Sequence, residues 1–293
     1  MTLAQDSTAR KPTASIVMPC YNVADTIEIQ LDQLLPQIDL TGAELVLVDN
    51  NSTDETPQIL DALAQRENVT VTTATDGQSV AYARNVGVTL ANSDRFLFCD
   101  ADDVVDDSWV HTMTQGLDTH KVVTGRLDAV ELNSQTQQAG RGDVSLPPTF
   151  YGLFPLAHGG NMGVTRDAWE AIGPLDESLG SVEDLEWSMR AMAVGQPIVR
   201  LSNAVIHYRY RERSIDLWRQ GLVYGRYRPE IAKRVHGRLG LRVDRFVGAR
   251  SWAWLAVNIF RIWQSDMRPQ LAWVAGNRIG HVIGSVKSRF LVI

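Results

Sequence analysis

The chain has 293 residues, 44% of them hydrophobic and 21% charged, which supplies a buried core and excludes a disordered, collagen-like or disulfide-stapled protein. Its net charge of −6 conceals a split: residues 1–207 carry 11 basic and 29 acidic side chains, a balance of −18, while residues 208–293 carry 17 and 5, a balance of +12. No stretch reaches the ~20 apolar residues of a membrane-crossing helix, and Met1–Arg10 lacks the apolar core of a signal peptide. The two cysteines, Cys20 and Cys99, sit in apolar strand-like runs and are expected as free thiols of a reduced, cytoplasmic chain.

Ser15–Met18 is a short apolar run ended by Pro19 and reads as a buried strand. Asn22 is placed to cap the next helix, whose Ile27, Leu31, Leu34 and Leu35 form one stripe. Glu44–Val48 is a second strand, ending at Asp49, and a polar turn over 50–54 leads into a helix with Ile59, Leu60 and Leu63. Val69–Thr72 is a third strand; Ser79 opens a helix with Tyr82, Val86 and Leu90 on one face. Arg95–Cys99 is a fourth strand, running directly into Asp100-Ala101-Asp102-Asp103. This alternation predicts an α/β protein with a mostly parallel sheet and right-handed crossovers. Ligands of such sheets bind beyond the carboxyl ends of the strands. Pro19–Asn22, Asp49-Asn50 and the Asp100 cluster all fall there.

Neither G-x-x-x-x-G-K-[ST] nor G-x-G-x-x-G is present, so the usual glycine-rich phosphate cradles are missing. Alternation in an extended segment would put the Asp100 and Asp102 carboxylates on one side. Hard oxygen ligands of this kind suit Mg²⁺ or Mn²⁺, which in turn would hold a diphosphate. An acidic solvated turn or a helix cap has the same composition; what favours a site is the position straight after the apolar run Phe96–Cys99.

Four segments carry a family resemblance: Ser15–Asn22 (SIVMPCYN), Leu45–Asp54 (LVLVDNNSTD), Ala83–Gly87 (ARNVG) and Phe96–Asp103 (FLFCDADD). With Gly159–Val164 (GGNMGV), Gly173–Glu177 (GPLDE) and Glu183–Glu186 (EDLE), they resemble, in order, the blocks of family-2 glycosyltransferases of the GT-A fold, over roughly residues 14–213. The resemblance implies inverting transfer from a nucleoside diphosphate sugar. The donor would be bound by Pro19, Tyr21, Asn22, Asp49, Arg84, Asp100, Ala101 and Asp102. Tyr21 would lie beside the base and Asp49 would accept its N–H, which suits uracil, thymine or guanine. Arg84 would sit near the diphosphate or the metal-site carboxylates. Asp100 would touch ribose or a metal-bound water, and Asp102 would be the principal metal ligand. Asn85 and Gly87 are expected to support their helix against the sheet.

Val122–Val130 reads as a strand leading away from the site. Gly159-Gly160-Asn161 is a turn before the apolar Met162–Val164; an ordinary hairpin has the same look, but the resemblance turns Gly160 and Asn161 toward the acceptor. Thr165 opens a short helix stopped by Gly173-Pro174. Glu183-Asp184 begins another, ending near Gly195. The helix dipole favours an ionised Asp184, as a general base requires, although acidic residues also cap helices. Family position makes Asp184 the catalytic base and Glu183 its acceptor-side neighbour. Trp187 offers either a sugar platform or a core side chain. His207 follows the strand Ala204–Ile206; the resemblance makes it a second metal ligand beside Asp102, against a histidine that satisfies the core. Arg209, Arg211 and Arg213 alternate and are expected to share a face. The Q-x-x-R-W block and spanning helices of processive synthases are missing.

From Ser214 the pattern is helical, and five of the eight tryptophans lie in this tail with arginine interleaved. This is the composition of an interfacial helix on an anionic membrane surface; packing on the catalytic part or a homodimer is the alternative, and nucleic acid is disfavoured by the acidic front. The expected organisation is a disordered N-terminus (1–11), a catalytic domain (12–213, with donor half 12–105 and acceptor half 106–213) and a basic tail (214–293). The acceptor is expected to be a lipid-linked or cell-envelope glycan, met at the inner face of the cell membrane. A sugar nucleotidyltransferase, or a non-catalytic nucleotide-binding scaffold of the same fold, are the competing functions. The first lacks its basic glycine-rich loop; the second does not need the Asp100, Asp102 and Asp184 set.

Overall fold

The computed structural model describes residues 11–138, 144–244 and 246–292; residues 1–10, most of the expected disordered N-terminus, lie outside it. In chain order the elements are β1 (Ser15–Cys20), α1 (Ile27–Thr41), β2 (Glu44–Asp49), α2 (Thr56–Leu63), β3 (Val69–Thr73), α3 (Val80–Leu90), β4 (Arg95–Cys99), β5 (Val104–Val105), α4 (Trp109–Thr119), β6 (Val122–Asp128), α5 (Gln135–Gln138), β7 (Asn161–Thr165), α6 (Arg166–Ile172), α7 (Glu183–Ala193), β8 (Ile198–His207), α8 (Ser214–Leu239), α9 (Ala249–Asn258) and α10 (Arg268–Ser288).

The strands form one sheet in the order β3-β2-β1-β4-β7-β6-β8-β5. β1 runs parallel to both β2 and β4, and β2 to β3; β7 is antiparallel between β4 and β6. The expected α/β architecture is therefore present. Successive residues of β1 face opposite layers: Ile16 and Met18 join the core under α1 and α4, and Val17 joins the core under α3, α6 and α7. Gly87 lets α3 lie directly on the sheet, because a Cβ there would overlap Val17. Cys20 and Cys99, on neighbouring strands, are buried free thiols, as expected.

Ser79 caps α3 as expected, its Oγ accepting from Tyr82 N at 3.1 Å. Asn22 does not cap α1, which begins five residues later at Ile27. Its backbone is left-handed (φ 51°), and its Oδ1 accepts from Thr53 N at 2.8 Å, joining the loops after β1 and β2.

The tail is not a detached appendage. Phe150, Phe154 and Leu156, with Leu185 and Met189 of α7, share a third core with Ile231, Ala232 and Val235 of α8. α8 and α10 approach backbone to backbone: a Cβ on Gly221, Gly225, Gly276, Gly280 or Gly284 would strike the main chain of the other helix. Packing on the catalytic part, the alternative to an interfacial role, is thus the arrangement of α8 and α10. α9 and the 3-10 turn Ile259–Arg261 remain outside that pair, with Val257, Phe260 and Trp263 exposed.

Candidate active site

The carboxyl ends of β1, β2 and β4 lie side by side, with Cys20 in register with Asp49. Asp49 is buried and its Oδ1 accepts from Ser52 N at 3.1 Å, while Tyr21, at the end of the neighbouring strand, is exposed. Beyond Cys99 the chain turns at Ala101-Asp102 instead of continuing extended. The turn brings in a third carboxylate that the alternation rule had excluded. Ligand oxygens of Asp100, Asp102 and Asp103 lie within 4.8 Å of one another. Asp103 is buried; its Oδ1 accepts from Arg209 N at 2.8 Å, and its Oδ2 has no hydrogen-bond partner among the described residues. Burial, with Asp102 and Asp100 adding, holds the Asp103 carboxyl well above its ordinary range; burial and Asp100 push Asp102 the same way. An all-oxygen cluster with an unsatisfied buried carboxylate oxygen fits a hard divalent cation such as Mg²⁺ or Mn²⁺. Arg209 donates from Nε to Asp102 O at 2.9 Å, and Arg211 Nη1 stands 3.5 Å from Asp102 Oδ2. Arg213 instead pairs with Asp216 at the start of α8.

His207 does not join this group. Its backbone pairs with Val104 and Asp128, and its Nδ1 lies 3.5 Å from Glu131, so the cluster among the described residues is made of the three aspartates.

Arg84, projecting from α3, is buried with both hands occupied: Nη2 donates to Asp100 Oδ1 and Nη1 to Glu183 Oε1, each at 2.6 Å. Of its two expected places, it takes the one beside the metal-site carboxylates; its Nε is buried without a hydrogen-bond partner among the described residues. Glu183 is corrected more sharply. At 3% exposure it cannot meet an acceptor; it is the buried partner of Arg84. Burial pushes its carboxyl up to about 8, with Arg84 opposing and Asp184 adding.

Asp184, the next residue, is half-buried. Its Oδ2 accepts from Gly159 N at 3.1 Å and its Oδ1 from Leu185 N at 2.8 Å. The cap position of α7 belongs to Val182, so Asp184 is not its N-cap. The turn at Gly159-Gly160 closes over the ion pair: a Cβ on Gly159 would stand 2.7 Å from Arg84 Nη1, and one on Gly160 would overlap Asp100. Gly160 thus packs on Asp100 rather than presenting itself to an acceptor. Asn161 is fully buried, its Oδ1 accepting from Trp109 Nε1 at 2.9 Å and its Nδ2 donating to Arg126 O at 3.1 Å; it braces β7 and is no acceptor ligand. Trp187 is also fully buried, its rings 5.9 Å from Trp169 and its Nε1 donating to Gly173 O at 3.0 Å, which makes it a core residue and not a sugar platform.

Two residues escaped sequence reasoning. Asp103 was hidden because the segment turns. Tyr224 lies on α8, in the basic tail, its ring edge-on to Trp273 at 5.5 Å between centroids; after burial, Asp184, Glu183 and Asp100 push its phenol upward, so these carboxylates lie within electrostatic reach of it. The small residues Gly221 and Gly225 on that helix were the available sign of a close-packed face.

Residues 15–172 match the family model described as glycosyl transferase family 2. The chain belongs to that family. This family-2 glycosyltransferase is 26% identical, over 239 residues, to the succinoglycan biosynthesis protein ExoA of Rhizobium meliloti, covering 78% of this chain and 72% of that one. It spans 34% and 62% of the lengths of two further curated relatives. A mannosyltransferase from Pyrobaculum calidifontis, solved with GDP-Man and Mn²⁺, has a similar fold, with a TM-score of 0.65 at 18% identity over 94% of this chain and 88% of that one. TarS of S. aureus, solved with UDP-GlcNAc, gives 0.55 at 19% identity over 94% and 92%. The fold is GT-A, as the sequence blocks implied.

Proposed function

We propose that this glycosyltransferase moves a sugar, with inversion, from a nucleoside diphosphate sugar to a hydroxyl group of a cell-envelope glycan. The observation that carries the reading is the joining of two carboxylate sets at one sheet end: Arg84 holds Asp100 and Glu183 together, and Gly159 links Asp184 to the same turn. Asp184 Oδ2 takes the acceptor hydroxyl proton as that oxygen bonds to the anomeric carbon; the bond to the diphosphate breaks and its electron pair leaves with the diphosphate. Asp102, with Asp100 and Asp103, would hold Mg²⁺ or Mn²⁺, which when bound supplies counter-charge to the departing diphosphate. Tyr21 and Asp49 frame the base. The GDP-Man, Mn²⁺ and UDP-GlcNAc complexes of the similar folds support a nucleotide-sugar donor and a divalent cation, and the succinoglycan relative supports an envelope polysaccharide. The test is release of nucleoside diphosphate from a panel of UDP, dTDP and GDP sugars with Mn²⁺. Release that rises with added glycan acceptor and stops in EDTA is expected. A protein that releases no nucleoside diphosphate from any of them overturns the reading.

The acceptor is proposed to be met at the inner face of the membrane, held peripherally. No described helix is long and apolar enough to cross a bilayer. Phe260 and Trp263 are 82% and 83% exposed, flanked by Arg250, Arg261 and Arg268, which suits insertion at an anionic headgroup layer. Co-sedimentation with anionic vesicles at low salt, lost in a Phe260→Ala, Trp263→Ala double variant, is the expected result; a salt-independent dimer without vesicle binding contradicts it.

A further inference from the structure

A second cluster of polar groups lies one turn further along α8, where α8, α10 and the turn at Tyr151 meet. Tyr151 and Gly152 both have left-handed backbone (φ 49° and 74°), and Leu153 N donates to Phe150 O at 2.9 Å, so the chain reverses sharply there. A tyrosine in this conformation is strained, and its surroundings must hold it. Its hydroxyl is 2.8 Å from His281 Nε2 on α10, and Arg228 of α8 lies over its ring, 5.5 Å from the centroid. His281 is fully buried, and burial together with Arg278 holds it down to about 3, so the ring is neutral. Its Nδ1, 2.8 Å from Asn277 O, therefore carries the proton, and Nε2 accepts from the tyrosine.

The cations of this cluster have no counter-charge. Arg278 is only 6% exposed, and its Nη2 donates to Asn277 Oδ1 at 2.6 Å. Among the described residues neither Arg228 nor Arg278 has a carboxylate within ion-pair distance; the nearby Glu230 is engaged by Arg234. Arg228 Nε and Arg278 Nη1 are both buried without a hydrogen-bond partner among the described residues. By comparison, buried Arg84 lies against Asp100 and Glu183, and Arg190 against Glu186; Arg200 also has an unpartnered Nε, but no second unpaired guanidinium is shown beside it among the described residues. Two desolvated guanidinium groups that repel each other are tolerated where an anion completes the set. Guanidinium forks match the oxygens of phosphate, a compact and highly charged group.

We propose that Arg228 and Arg278, framed by Tyr151 and His281, form a binding site for a phosphate group. Its place suggests the source. Arg228 follows Tyr224 by one helical turn, about 6 Å along the axis, and Asp184 lies within electrostatic reach of Tyr224. A phosphate on the acceptor would reach this site while its sugar hydroxyl meets the base. That link rests on the proposed transfer reaction; the site itself does not.

The experiment is thermal unfolding of the full chain, without nucleotide sugar, in inorganic phosphate, geranyl phosphate or phosphatidylglycerol vesicles, each against sodium chloride of equal ionic strength. A ligand that binds only the folded state raises the midpoint. A rise with geranyl phosphate above that with inorganic phosphate is expected, and it is lost in both Arg278→Met and Arg228→Gln. A larger rise with vesicles also supports the site and assigns the group to a lipid headgroup; an equal rise with inorganic phosphate assigns it to free phosphate. Arg278→Met is expected to be at least as stable as the parent in chloride, since it removes an unpaired buried charge, and Arg228→Gln covers the case in which it fails to fold. No rise with any probe, or the same rise in folded variants, overturns the proposal. A protein that binds geranyl phosphate but turns over no nucleotide sugar keeps this site and removes only the transfer reaction.

Discussion

At high pH, Glu183→Gln makes the protein more stable. Glu183 has an ordinary value of 4.5 in the unfolded chain and about 8 in the folded one, because burial outweighs its contact with Arg84. The folded state therefore holds this proton more tightly than the unfolded state does. The resulting stabilisation is complete below 4.5, declines as pH rises, and is gone above about 8. At about 1.4 kcal/mol per pH unit, the whole limb amounts to about 4–5 kcal/mol. Glutamine keeps an Oε1 to accept from Arg84 but has no proton to lose. It also gives up the ionised partner that Arg84 gains at high pH, which reduces the net gain to about 2–4 kcal/mol at pH 9. At pH 5 the two proteins should agree within about 1 kcal/mol. Other carboxylates, Asp102 and Asp103 included, are common to both and cancel in the difference. Urea unfolding at pH 5, 7 and 9 reads the effect. Parallel pH profiles for the two proteins would refute the assignment of Glu183 as a buried, proton-holding partner of Arg84.

Asp102→Ala should fold normally yet lose the Mn²⁺-dependent thermal shift with nucleoside diphosphate; an undiminished shift would remove the aspartate cluster as the cation site. Gly160→Ala should cost about 1–3 kcal/mol, as overpacking does, and lower turnover at least about tenfold, because its Cβ displaces Asp100; unchanged kinetics would show that the turn is free to move. Trp187→Ala should cost about 3–5 kcal/mol, and Trp187→Phe should leave the acceptor KM unchanged, as suits a core side chain; a raised KM in the folded phenylalanine variant would restore the sugar platform.

The donor half was legible because its signals are local. β4 was bounded correctly at Arg95–Cys99, and Ser79 was a correct cap, since strand pattern and cap chemistry depend on neighbours in sequence. The order of blocks was enough to give the fold. What sequence could not supply was which side chains face each other across the molecule. Glu183 and Asp184 are adjacent in α7, yet one is sealed against Arg84, 99 residues away, and the other keeps partial exposure. Asn161 and Trp187 are polar or amphipathic groups whose hydrogen bonds are met inside the core, which no spacing reveals. The alternation rule failed at Asp103 because the segment is a turn. The basic tail was read as a surface element, although α8 packs on the third core and on α10, because interfacial and interhelical packing use the same residues.

The most direct measurement is turnover of Asp184→Asn beside its donor affinity. If Asp184 removes the acceptor proton, acceptor-dependent release of nucleoside diphosphate falls by ~10²–10⁴-fold, the usual span of general-base catalysis, while the nucleotide-dependent thermal shift with Mn²⁺ stays as in the parent and Glu183→Gln stays within about tenfold of it. Near-parental turnover by Asp184→Asn would contradict the proposed mechanism.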